Sequence, residues 1–137
     1  MRLAALSSAL IGAFATCAHA DDIPPCPSPA GISAVVLPDG VTPAVQQTLR
    51  QKLGDIALPG ERFDVTDIVM TGKTRRFIFV WNSGTKWLVA TEHGGRGYND
   101  PIYLYNVSGD GKSASLVATR IAFPGDVCSV ASDLIGG

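Results

Sequence analysis

Residues 91–101 read TEHGGRGYNDP and gather Glu92, His93, Arg96, Tyr98 and Asp100 among three glycines. Three kinds of chemistry can be built from such a set. His93 could serve as the base of a hydrolase, Glu92, His93 and Asp100 could converge on a metal, or the loop could touch a partner. A nucleophilic triad needs a base beside the nucleophile and a third group that orients the base. His93 is the only histidine outside the first twenty residues, and the chain has no GxSxG motif. A His93-dependent hydrolase is therefore the weakest of the three readings. Zinc sites take three or four ligands, mostly histidine and cysteine, and one histidine leaves such a site dependent on carboxylates. No metal and no cofactor is expected.

Binding remains. Long glycine-bearing loops on rigid sheets are frequent carriers of recognition. HGGRGYND is about eight residues where common hairpins use about two to five. Arg and Tyr are types enriched in interface hot spots. His93, Arg96 and Tyr98 are the expected contacts, with Asp100 shaping the loop. A second candidate surface is a sheet face lined by Trp81, Trp87 and Tyr103, suited to a small molecule or an envelope glycan. GDGKSA at 109–114 echoes the end of a phosphate-binding loop, but Asn106 stands where that motif needs its first glycine. A strand, not a helix, is expected after it. It reads as a hairpin turn.

The start of the chain carries a different signal. Arg2, the apolar run from Leu3 to Ala18 and the small residues of AHA at 18–20 form the three-part secretory pattern. Residues 1–20 are expected to be a signal peptide, directing the product to the periplasm or the exterior. Removing Arg2 leaves ten Lys and Arg against twelve Asp and Glu. That balance offers no electrostatic footprint for nucleic acid, and no later apolar stretch is long enough to span a membrane. Cys17 would leave with the signal. Cys26 and Cys128 would remain as an even pair, expected to form a disulfide in an oxidising compartment. The chain-entropy model gives a loop of roughly a hundred residues about 4–5 kcal/mol of stabilisation.

The elements that must hold the loop follow from periodicity. Residues 21–31, DDIPPCPSPAG, place four prolines in eleven residues and predict an extended strap. Residues 32–137 are expected to form one domain. ISAVVLP reads as a first strand. Thr42, Pro43 and Gly54 mark the cap, first turn and stop of a helix whose Val45, Leu49 and Leu53 form a narrow apolar stripe. From Glu61 the period becomes two. RFDVTDIVM, RRFIFVWN, KWLVATE, PIYLYNV and ASLVATRIAF are strand candidates separated by glycine turns. The tail DVCSVASDLIGG is expected to make one short helical turn.

The predicted class is α+β, with one helix packed on a four- to five-stranded antiparallel meander and the termini stapled by a disulfide. In architecture alone this order resembles the cystatin-like arrangement. One narrow helix covers one sheet face, so the other must be polar or covered by the strap, a second copy or a partner. The functional expectation is an exported, non-catalytic binding protein. It would act as an inhibitor or immunity-type protein toward an enzyme of the cell envelope. A homodimer is compatible with the uncovered face.

Overall fold

Thr42, Pro43 and Gly54 act as their types require. In the computed structural model, which describes residues 25–66 and 70–137, helix α1 spans Pro43–Leu53. The Thr42 hydroxyl accepts from the Val45 amide, Pro43 opens the first turn, and the Gly54 amide, at positive φ, donates to the Arg50 carbonyl. The expected signal peptide, the first four residues of the strap and residues 67–69 lie outside the described residues.

Six strands form one sheet: β1 (Ser33–Ala34), β2 (Ile56–Ala57), β3 (Arg75–Ser83), β4 (Lys86–His93), β5 (Asp100–Val107) and β6 (Ala114–Ala122). The spatial order is β1-β3-β4-β5-β6, with β2 also on the outer edge of β3. All pairings are antiparallel except the parallel β2–β3 pair. The meander expected from residue 75 onward is present. The first strand is shorter than ISAVVLP suggests, only two residues, with the Val35 amide extending the pairing to the Val80 carbonyl. Arg62–Val65 form no strand at all. Their backbone instead follows the turn that Asp64 organises.

The prediction of a single helix is corrected by a second one, α2, at Val127–Gly136. Its Val127, Ala131 and Ile135 recur every four residues and are all buried. They pack with Ile78, Phe79, Trp81, Leu88, Ala90, Ile102 and Leu104 on one sheet face. Val45 and Leu49 of α1 pack with Val80, Val89, Tyr103, Tyr105 and Val107 on the other. The sheet is therefore sandwiched between helices. This explains why the middle of β4 and nearly all of β5 are buried and read as apolar runs.

The Cys26–Cys128 disulfide is formed, with Cα atoms 5.4 Å apart and 102 residues of separation. Cys26 is itself part of the core beneath α2. The bond thus joins the strap to the first turn of the helix that closes the second face. Among the described residues no helix is long and apolar enough to cross a membrane.

Candidate functional site

The loop between β4 and β5 is six residues long, Gly94–Asn99, shorter than the eight expected because His93 and Asp100 belong to strands. The His93 amide donates to the Asn99 carbonyl at 2.9 Å, which closes its base. Its far side is stitched to a neighbouring turn. The Gly94 amide donates to the Thr74 carbonyl at 3.1 Å, and the Gly95 amide to the Val65 carbonyl at 3.0 Å. Only glycine permits this approach at position 94, because a Cβ would collide with the Asp64 carbonyl oxygen and lie 2.7 Å from the Val65 Cα. Gly97, at φ +80°, turns the chain back.

Asp64 organises the adjoining turn. Its carboxylate accepts from the amides of Met70, Thr71 and Gly72 at 2.9–3.1 Å, while its own amide donates to the Lys73 carbonyl at 2.8 Å. Burial pulls its pKa upward, but the backbone and hydroxyl donors outweigh that and leave it below the ordinary aspartate value. The two segments together make one tip at an end of the sheet. Exposed upon it are Met70, at 85 % exposure, Val65, and the side chain of Arg96.

Beneath the tip lies a row of charge. Arg76 of β3 pairs in register with Glu92 of β4. The offset that sets Ala90 opposite Ile102 and His93 opposite Asn99 places Glu92 opposite Asp100 of β5. Arg76 donates from Nε at 3.0 Å and Nη2 at 2.8 Å to Glu92 Oε2. The Phe63 ring covers the guanidinium at 4.7 Å. The Tyr98 hydroxyl donates to the other oxygen, Glu92 Oε1. Burial first, then this hydrogen bond and the charges of Glu92 and Asp100, raise the phenol pKa well above its ordinary value.

Asp100 is fully buried, and neither carboxyl oxygen has a hydrogen-bond partner among the described residues. Burial, and then the negative charge of Glu92, push its pKa up to about 6. His93 points to the opposite face, since successive strand residues alternate, and it pairs in register with Arg75. Its pKa is lowered by burial and by the Arg75 charge.

The five candidate residues of this stretch are therefore divided. Glu92, Tyr98 and Asp100 are brought together as the anchor of the loop, His93 faces away from them, and Arg96 stands on the surface. A joint Glu92–His93–Asp100 metal site is not assembled, and among the described residues no cluster of three or more such ligands occurs. The second candidate surface is also divided. Trp81 is buried beneath α2 against Phe79, with ring centroids 4.5 Å apart, whereas Trp87 and Tyr103 lie on the α1 side.

Sequence reasoning missed Arg76, Asp64 and Phe63. Arg76 is the second residue of the strand candidate RRFIFVWN, and it is only 8 % exposed. The visible signal was its place inside an otherwise apolar strand, where a charge needs a partner. A cavity of about 570 Å³ opens along the outer edge of β3, between the strands β1 and β2. Pro25, Pro59, Phe79, Trp81, Arg76 and Glu92 are among its walls.

No protein-family model matches the chain, and neither the curated proteins nor the solved structures yield a match.

Proposed function

We propose that the protein is an exported, non-catalytic binding protein whose tip, formed by Gly94–Asn99 and the Asp64-capped turn, engages an enzyme of the cell envelope as an inhibitor or immunity-type protein. The observation that carries this reading is the pre-organisation of the tip. Backbone bonds from Gly94 and Gly95, the Asp64 cap and the Tyr98–Glu92 bond hold it from three sides. Held in this way, Gly94–Asn99 loses little entropy on binding, so more of the contact energy appears as affinity. Met70 and Val65 supply apolar area, and Arg96 supplies a charged hydrogen-bonding group. Tyr98, expected from sequence to be a contact, serves in this reading as the pin beneath the surface. The disulfide is compatible with export to an oxidising compartment.

The test is capture from an envelope fraction with wild-type protein and with Met70→Asp/Arg96→Glu. The reading predicts one enzyme retained only by the wild type, its activity lowered by added protein. Retention by both forms would contradict it.

The cavity on β3 supports a second reading, an envelope small-molecule binder. Its volume lies in the range of about 300–1,000 Å³ usual for ligand sites, and Trp81 in its wall is a built-in fluorophore. A saturable change in tryptophan emission with a small-molecule library, surviving the tip substitutions, would favour it over the first.

A further inference from the structure

The two edges of the sheet are built differently. The outer edge of β3 is blunted by two strands of only two residues each, β1 and β2. The other edge is β6, nine residues long and, among the described residues, paired only with β5. Natural edge strands are guarded by lysine, proline or inward-facing charge. Between Ala114 and Ala122 the only charged residue is Arg120, and there is no proline. Exposed along it and just beyond are Leu116, Val117, Ile121 and Phe123, the last three more than half exposed. A long row of open backbone donors and acceptors is matched by another strand and by little else.

We propose that β6 pairs antiparallel with β6 of a second copy across a two-fold axis, joining two six-stranded sheets into one. The sequence of the edge is self-complementary in one register. With Thr119 on the axis, Val117 of each copy faces Ile121 of the other. Thr–Thr and β-branched cross-strand pairs of this kind stabilise antiparallel ladders. Arg120 faces Ala118 of the second copy, so the two arginines do not oppose one another. Charge at the strand ends agrees. Lys112 lies before β6 and Asp126 after it, both exposed, so antiparallel pairing brings each Lys112 end to the Asp126 end of the other copy. The irregularity opposite Leu104 and Tyr105 leaves Val117 as the extra residue on β6. The ladder about Thr119 is regular over Ala118–Arg120, and the Val117–Ile121 pairs flank it at the irregularity. The tip lies at the Ala122 end of the sheet, so two-fold pairing sets the two tips at opposite ends of the assembly.

Sedimentation of the mature protein across micromolar concentrations tests the inference. Wild type is expected to be a dimer, and Ile121→Lys is expected to weaken dimerisation at least tenfold. Because Ile121 is half exposed, that change leaves the folded far-ultraviolet spectrum intact. Thr119→Cys supplies an independent reading. A residue on the axis meets its own copy, so this variant is expected to form an interchain disulfide on mild oxidation, while Ser108→Cys does not. A monomeric wild type, a dimer indifferent to Ile121→Lys, or equal cross-linking at 119 and 108 would overturn it.

Discussion

Glu92 and Asp100 face each other across β4 and β5 on the side of the sheet covered by α2, one in a salt bridge with Arg76, the other fully buried with no hydrogen-bond partner among the described residues. Two carboxyl groups in such positions cannot both hold charge cheaply. The second remains protonated to about pH 6. The row Arg76–Glu92–Asp100 is therefore a structural anchor whose strength depends on pH.

Asp100 has a raised native pKa, so the unfolded state releases its proton first as pH rises. Its contribution is neutral below the ordinary aspartate value and turns destabilising as pH climbs through about 6. Holding this carboxyl protonated up to about pH 6 corresponds to about 3 kcal/mol at neutral pH. Asp100→Asn is therefore expected to be more stable than wild type in urea at neutral pH. Its advantage should shrink to nothing below about pH 4. An advantage that is constant across pH would show that Asp100 is not the titrating group.

Removing one partner from the buried pair has a different signature. Arg76→Met strips Glu92 of its counter-charge while Asp100 faces it, and is expected to cost about 3–5 kcal/mol. Arg76→Met/Glu92→Leu should recover most of that loss, since it leaves no uncompensated charge. Equal losses in single and double variants, measured by urea unfolding, would contradict the pairing.

The close approach of the two tip segments rests on one missing side chain. Gly94→Ala drives a methyl against the Asp64 carbonyl and the Val65 Cα. A cost of about 1–3 kcal/mol is expected, together with faster hydrogen exchange at the Gly95 amide. Asp64→Asn should loosen the same turn by weakening its bonds to Met70, Thr71 and Gly72. Because the native Asp64 pKa is lowered, wild type loses this contribution as pH falls, and the Asn variant does not.

The disulfide binds the strap to α2, so its loss should act on the second layer of the core. Cys26→Ser/Cys128→Ser is expected to lose up to about 4–5 kcal/mol. Because α2 packs against Trp81, the tryptophan emission should shift to the red before the sheet unfolds. Unfolding of sheet and helix in one step would contradict that order.

Much of this architecture was legible in residue types. Thr42, Pro43 and Gly54 carry α1 because each does a job set by its own chemistry. The four long strands follow from alternation and glycine turns, and the cysteine pair from its even count. Helix α2 is hard to see in the sequence because two serines and two terminal glycines dilute its short stripe of Val127, Ala131 and Ile135. Only packing against Trp81, Leu88 and Ile102 makes the stripe decisive. At the loop, residue types draw attention to 91–101 but do not give each side chain's place. Whether Tyr98 or Arg96 meets solvent depends on strand register. Register also sets Glu92 opposite Asp100 and turns His93 to the other face. The share of Asp64 and Arg76 in the site is a matter of contacts distant in sequence.

The proposed inhibitor role requires Arg96 to stand in a partner's footprint. Replacing it with a photo-reactive amino acid, and irradiating intact cells that express the protein, tests this most directly. A matching change at Lys112, on the turn at the opposite end of the sheet, serves as control. The account predicts a single envelope enzyme cross-linked from position 96, absent from position 112, and lost when Met70→Asp is added. No cross-link from position 96, or the same pattern from both ends, would contradict it.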